Sequence, residues 1–296
     1  MKNVLTRSIS GVFLILIVVG SVWFNSLSNF LLFLFILIFG MHEFYRLSKA
    51  ANYYPNEKLG IASGIIIYTL SYFVAANVVD INILAIILPL PIFIAIAEMY
   101  RQKKNPINNI SITIFGLIYL ALPLSLIHFM VLSPYSSGNE PDIINTLSKS
   151  SPLNTQLHDV YYSSIIIIGY FIIQWVSDTG AFVFGVSFGK HRLFERISPK
   201  KSWEGAIGGF IATIGAAFLV HQIYPHLALV HWIVISLIIT LFGIFGDLIE
   251  SLFKRSVNVK DSGKIMPGHG GILDRFDSTL IALPMVYFYL QIINYL

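Results

Sequence analysis

The residues with the clearest chemical potential lie in one charged segment, residues 251–277, between two long apolar runs. This segment reads SLFKRSVNVKDSGKIMPGHGGILDRFD and combines cations, carboxylates and a glycine-rich turn. Carboxylate oxygens are ligands for hard divalent cations, cationic side chains bind phosphate, and glycines let backbone amides approach an anion. The segment therefore predicts a site for a charged, phosphate-bearing substrate and a divalent metal.

Three carboxylates are spaced so that they can converge. Asp247, Ser251 and Lys254 have i, i+4, i+7 spacing, which places them on one stripe at the end of a helix. Asp274 and Asp277 have i, i+3 spacing at the start of the next apolar run. Because the connecting loop returns to the same face, we expect the three aspartates to meet. A carboxylate at the centre of a bilayer costs about 2.5 to 3.5 kcal/mol, so it is rarely kept without a partner or a task.

Such a group of carboxylates suits Mg²⁺, which is usually held by one or two carboxylates together with substrate phosphates. Neighbouring cations would then neutralise a nucleotide or a phospholipid headgroup. The alternative is a structural ion pair of Asp274 with Lys254 or Arg255, and the spacing alone leaves both interpretations open.

A second basic segment, residues 189–205, offers further phosphate contacts through Arg196, Lys200 and Lys201. Each of these cations could equally serve only to fix membrane orientation. His269, in the glycine-rich turn, is open to three interpretations: a metal ligand, an acid or a polar loop residue.

The elements that carry these residues are membrane helices. The chain has 296 residues, of which 56% are hydrophobic and 11% charged, and its mean hydropathy is +0.75. About 20 apolar residues cross a bilayer as a helix. We predict an all-α, polytopic integral membrane protein with about nine transmembrane helices, at residues 8–24, 27–41, 60–79, 81–99, 110–132, 161–185, 206–224, 228–245 and 273–296.

The distribution of cations predicts the orientation of these spans. With nine spans and a cytoplasmic N-terminus, 18 of the 19 Lys and Arg residues lie on the cytoplasmic side, and only Lys149 lies opposite. This asymmetry explains the net charge of +4 and favours anionic lipid, rather than nucleic acid, as the partner. The absence of cysteine excludes disulfides, thiol catalysis and thiolate metal sites.

We predict a single membrane domain over residues 1–296. Within it, residues 1–132 form N-terminal hydrophobic helices, 133–160 a non-cytoplasmic loop, and 161–296 the catalytic C-terminal half. The sequence assigns no role to the loop or to Asp178.

The charged segment resembles the signature of the phosphatidate cytidylyltransferases, the CDP-diacylglycerol synthases. The matching positions are Ser251, Lys254, Arg255, Lys260, Asp261, Gly263, Pro267, His269, Gly270, Gly271, Asp274, Arg275 and Asp277. The resemblance continues upstream through Asp178 and the run SPKKSWEG, and it covers roughly the C-terminal half. Ser202 stands where the family has Thr, and Met266 replaces the usual Leu, Ile or Phe.

The resemblance implies Mg²⁺-dependent transfer of CMP from CTP to phosphatidic acid, which gives CDP-diacylglycerol and pyrophosphate for phospholipid biosynthesis. It implies Asp247 and Asp274 as primary Mg²⁺ ligands and Asp277 as a further ligand, with room for a second cation such as K⁺. The implied catalytic residues are Asp247, Lys254, Asp274 and Asp277. The implied substrate-binding residues are Lys200, Lys201, Ser251, Arg255, Lys260, His269, Gly270, Gly271 and Arg275.

The resemblance also implies a bacterial cytoplasmic (inner) membrane protein with its active site on the cytoplasmic side. Two other functions suit a polytopic protein with buried carboxylates: a CTP-dependent lipid kinase and, with less support from the charged loop, an ion-coupled secondary transporter. The sequence leaves the oligomeric state open, with a homodimer as one option.

Overall fold

A computed structural model of the chain describes residues 2–134, 160–259, 261–263, 270–293 and 295. Over these residues the protein is almost entirely α-helical, with two short two-stranded sheets. The helices are α1 (Lys2–Phe24), α2 (Ser26–Ala50), α3 (Glu57–Ala75), α4 (Leu90–Arg101), α5 (Pro106–Gly116), α6 (Leu122–Val131), α7 (Ile165–Phe188), α8 (Trp203–Ile223), α9 (Leu229–Ser256) and α10 (Leu273–Ile292).

Shorter elements complete or connect these helices. A 3₁₀ helix, Ile81–Ile87, precedes α4, and a π-helical turn, Leu117–Ala121, joins α5 to α6 into one continuous run. The strands are β1 (Leu132–Pro134), β2 (Val160–Tyr162), β3 (Arg192–Phe194) and β4 (Ser198–Ser202), which pair β1 with β2 and β3 with β4, both antiparallel.

The prediction of an all-α polytopic membrane protein is confirmed. Seven helical runs of the described residues are long and apolar enough to cross a membrane: 26–50, 57–75, 81–101, 106–131, 165–188, 203–223 and 229–256. The first and ninth predicted spans coincide with α1 and α10, which are not among these seven. Helix α10 carries Asp274, Arg275 and Asp277 in its first turns, and this reduces its apolar length. The count of nine spans and the cytoplasmic N-terminus stay predictions.

By internal contacts the chain divides into two compact units. The first unit comprises Met1–Ser163 and Ser256–Phe276, and the second comprises Ser164–Arg255 and Asp277–Leu296. In the first unit α2 packs against α1 and α3, and α3 packs against α6. The Tyr45 hydroxyl, fully buried on α2, donates a hydrogen bond to the Thr113 carbonyl oxygen at 2.8 Å.

In the second unit, α7 and α8 pack closely against each other, and the β3–β4 hairpin connects them. A side chain on Gly205 would come within 2.8 Å of the Ala181 carbonyl oxygen, so glycine lets the two backbones approach. Ser202 ends β4 and caps α8, because its Oγ accepts a hydrogen bond from the Gly205 amide at 3.2 Å. Ser and Thr can both supply such a capping oxygen, so Ser202 can fill this role where Thr was expected.

Candidate active site

Helices α9 and α10 come into close contact in the second unit at Gly246. A Cβ on Gly246 would overlap the Asp277 carbonyl oxygen and lie 2.7 Å from the Ser278 Cα. Only glycine avoids this overlap, and Asp247 follows directly in the chain. The close approach thus brings Asp247 on α9 near Asp277 on α10.

Three carboxylates are grouped at this contact: Asp247, Glu250 and Asp277. Each offers an oxygen atom, and these oxygens all lie within 4.8 Å of one another. Glu250 is fully buried and Asp277 is 8% exposed, whereas Asp247 is partly accessible. Like charges this close are unfavourable unless cations compensate them, so the group is a candidate site for a bound cation.

Two lysines already contact the group. Lys201 Nζ, from β4, lies 2.5 Å from Asp247 Oδ2, and Lys254 forms an i, i+4 ion pair with Glu250 on α9. Ser251 Oγ donates a hydrogen bond to Asp247 Oδ1 at 3.2 Å. Within the stripe predicted on α9, Ser251 therefore contacts Asp247, whereas Lys254 pairs with Glu250 and Lys201 reaches Asp247 from the hairpin.

The grouped carboxylates fit a hard divalent cation. Mg²⁺ binds oxygen at about 2.0 to 2.1 Å, so oxygens on opposite sides of the ion are about 4.2 Å apart. The three oxygens lie within 4.8 Å of one another, which is close to this distance. Asp247, Glu250 and Asp277 are the described residues that could hold such an ion together.

The sequence grouped Asp274 with Asp247 and Asp277, but the three-carboxylate group contains Glu250 instead. In the first unit, Asp274 Oδ2 accepts three hydrogen bonds: from the Ser262 amide at 3.0 Å, the Ser262 hydroxyl at 2.9 Å and the Gly271 amide at 2.7 Å. Asp274 lies in the first turn of α10, so its carboxylate reaches the backbone amides just before the helix. Its role as a Mg²⁺ ligand stays a prediction.

The described part of the glycine-rich turn surrounds this carboxylate. Gly270 has φ of +84°, and a Cβ there would approach Asp274 Oδ2 to 2.5 Å. The Gly271 amide, predicted to face a substrate anion, donates to Asp274. In this structure the turn therefore binds a carboxylate of the protein itself.

The remaining predicted residues occupy several environments. Lys200, Arg255 and Arg275 have exposed side chains, whereas Lys260 and His269 lie outside the described residues. Asp178 is exposed on α7, where its Oδ1 accepts a hydrogen bond from Gln174 Nε2 at 3.3 Å.

Sequence reasoning missed two buried acids. The spacing of Glu250 could have indicated its role, because it lies three residues after Asp247 on the same helix and four before Lys254. The sequence signal for Glu43 is weaker, since it is only an acidic residue just beyond the second apolar run. It is 2% exposed and contacts Ser262 and Leu273.

The helical fold and the lysine-paired carboxylate group define an integral membrane protein with a polar, carboxylate-rich site. A model of the Cytidylyltransferase family matches residues 5–293. The chain therefore belongs to the cytidylyltransferase family.

Individual relatives share part of this chain. It is 48% identical over 118 residues to a phosphatidate cytidylyltransferase of Staphylococcus saprophyticus, an alignment that covers 39% of this chain and 45% of the relative. Similar proteins of the same name are 45% identical in Staphylococcus haemolyticus and 46% identical in Staphylococcus aureus strain COL, both over 132 residues, 44% of this chain and 48% of each relative. The chain spans about half the length of the curated relatives it matches.

Proposed function

We propose that this protein transfers CMP from CTP to phosphatidic acid, giving CDP-diacylglycerol and pyrophosphate. The observation that carries the proposal is the group of Asp247, Glu250 and Asp277 with Lys201 and Lys254 in contact. Membership in the cytidylyltransferase family supports it, as do relatives named phosphatidate cytidylyltransferase.

The chemistry requires charge neutralisation more than a strong base. An oxygen of the phosphatidic acid phosphate attacks the α-phosphorus of CTP, and the bond from the α-phosphorus to the bridging oxygen breaks as pyrophosphate leaves. Both reactants are anions, and the attacking phosphate is already ionised at neutral pH. Catalysis therefore depends on holding the two phosphates together and compensating their charge.

The grouped residues can perform these tasks. Asp247, Glu250 and Asp277 would hold Mg²⁺, and the resemblance adds Asp274, three residues before Asp277. The bound ion would supply charge neutralisation at the α-phosphate. Lys201 and Lys254 lie at these carboxylates, where their ammonium groups can also contact phosphate oxygens, and Ser251 orients Asp247. A second cation, such as K⁺, remains part of the proposal.

The two substrates can reach such a site by different routes, the lipid from the bilayer and CTP from the aqueous side. Apolar side chains are exposed along α7 and α8, including Phe182, Val186, Ile207 and Ile211, and suit contact with lipid chains. The cation asymmetry of the sequence places the polar loops on the cytoplasmic side, where CTP is available. We therefore propose a cytoplasmic-membrane enzyme that takes its lipid laterally and its nucleotide from the cytoplasm.

Labelled CTP tests this function directly. With purified protein, phosphatidic acid and Mg²⁺, label at the α-phosphorus should enter a chloroform-soluble product, and label at the γ-phosphorus should leave as pyrophosphate. A lipid kinase would instead send γ-label into lipid and release CDP. Chloroform-soluble γ-label, or no Mg²⁺-dependent lipid labelling from folded protein, would contradict the proposal.

A further inference from the structure

Glu43 is a buried carboxylate in an apolar helix that the proposed chemistry does not use. It lies on α2 in the first unit and is only 2% exposed. Burying a carboxylate in a membrane helix is costly, so such residues usually have a partner or a task. The partners of Glu43 are in the charged signature segment, more than 200 residues away in the chain.

One oxygen of Glu43 binds the beginning of α10. Oε2 accepts a hydrogen bond from the Leu273 amide at 2.9 Å. Leu273 is the first residue of α10, so this amide has no acceptor within its own helix. An anionic acceptor here is also favoured by the helix dipole. Glu43 thus fixes the start of the helix that carries Asp274 and Asp277.

The same oxygen is linked to Asp274 through a hydroxyl. Ser262 Oγ lies 3.2 Å from Glu43 Oε2 and 2.9 Å from Asp274 Oδ2. The Ser262 hydroxyl carries a single proton, so it donates to one carboxylate at a time and couples their positions. The amides of Ser262 and Gly271 hold the same Asp274 oxygen.

Two glycines of the segment make room for Glu43. A Cβ on Gly263 would overlap Glu43 Oε1, and one on Gly271 would overlap Oε2. The carboxylate therefore fills the space where side chains would stand at these positions. This packing explains two glycines of the signature without reference to a substrate anion.

We propose that Glu43 is a positioning residue for the signature segment. It holds the first turn of α10 through the Leu273 amide and orients Asp274 through the Ser262 hydroxyl. The consequence for Mg²⁺ rests on the proposed function, in which Asp274 is a predicted ligand. Helix α2 would then contribute to catalysis indirectly, by positioning Asp274.

Glu43→Gln tests this role by removing the charge while keeping the size of the side chain. Amide hydrogen exchange at Ser262, Gly271 and Leu273 should become about five-fold faster, the change expected when a capping interaction is lost. The Mg²⁺ concentration for half-maximal CDP-diacylglycerol synthesis should rise about ten-fold, as for residues that orient metal ligands. The matched control is Glu98→Gln, which alters another buried glutamate of the first unit, bound to Asn109 and Arg101. It should change neither measurement.

Ser262→Ala provides a second variant that leaves Glu43 in place should Glu43→Gln fold poorly. Losing the hydroxyl should by itself raise the Mg²⁺ midpoint, with Glu43 unchanged. Where the Glu43→Gln protein folds, adding Ser262→Ala should raise its midpoint less than Ser262→Ala raises that of the wild type. Unchanged exchange at the three amides, or changed exchange with an unchanged Mg²⁺ midpoint, would overturn the positioning role. If wild-type protein makes no CDP-diacylglycerol, the proposed function fails, while the exchange measurement still decides whether Glu43 holds the segment.

Discussion

Lys201 Nζ lies 2.5 Å from Asp247 Oδ2, an ion pair that joins β4 to α9 within the second unit. Both side chains are partly exposed, at 25% and 34%, and exposed pairs of this kind stabilise a protein by only about 0 to 1 kcal/mol. The pair therefore contributes little to the stability of the fold.

Replacing Lys201 should consequently affect turnover far more than stability. Lys201→Met should lower kcat/KM for CTP on the order of 10²-fold, because a cation facing the phosphates is lost. Lys190 is exposed and is not among the predicted substrate-binding residues, so Lys190→Met should remain within about two-fold of wild type. Steady-state kinetics and thermal unfolding of both variants measure this. Equal losses in the two variants would show that the Asp247 contact is not what matters.

Glu250 and Lys254 form a buried ion pair whose two functions can be separated. Glu250→Gln should abolish Mg²⁺-dependent activity and also destabilise the protein by about 3 to 5 kcal/mol, because Lys254 keeps its charge with only 13% of its side chain exposed. The double variant Glu250→Gln, Lys254→Met should recover most of the stability but none of the activity. Thermal unfolding and Mg²⁺ titrations of turnover measure the two effects.

The control for this experiment is Glu195→Gln, at an exposed position of the β3–β4 hairpin. It should leave both activity and stability near wild type. Recovery of activity in the double variant would exclude Glu250 as a metal ligand and leave it a structural partner of Lys254.

The sequence was informative where the signal is local. Among the residues that the structure describes, the apolar runs coincide with the long helices, because bilayer thickness sets how many residues a spanning helix needs. Spacing along α9 likewise predicted the Asp247, Ser251 and Lys254 stripe, since i, i+4, i+7 residues share a helix face. Both predictions depend only on neighbouring residues.

Tertiary contacts were not predictable in the same way. Glu43 contacts Leu273 across 230 residues of chain, and no local pattern connects them. Asp274, at the start of α10, accepts three hydrogen bonds from Ser262 and Gly271, contacts that its spacing from Asp277 does not predict. Ser262 is likewise only 5% exposed, because it contacts Glu43 and Asp274, and no local pattern predicts this burial.

Gly246 should be intolerant of any side chain. In Gly246→Ala the new methyl group meets backbone atoms of Asp277 and Ser278, which cannot rotate away, so overpacking should cost about 1 to 3 kcal/mol and separate Asp247 from Asp277. Activity should fall together with the melting temperature. Gly215→Ala on α8 is the matched control, because a Cβ there has nothing within 4 Å.

The control variant should be neutral or stabilised by about 0.5 to 1 kcal/mol, the usual gain for Ala over Gly in a helix. Thermal unfolding and the CMP-transfer assay on both variants provide the comparison. A fully active Gly246→Ala protein would mean that the close contact of α9 and α10 is not required.

The orientation of the chain can be tested with single cysteines, since the protein has none of its own. Ser262 is unsuitable for labelling because it is buried, so exposed positions on opposite predicted sides are needed. Asn82 lies at the predicted non-cytoplasmic end of the third and fourth spans, and Lys104 lies in the predicted cytoplasmic loop that follows; both are exposed.

In intact cells, a membrane-impermeant thiol reagent should label Asn82→Cys and leave Lys104→Cys unlabelled. Opening the inner face should then expose Lys104→Cys. The reverse pattern would place the cationic loops, and with them the proposed CTP site, on the side of the membrane away from the cytoplasmic nucleotide pool.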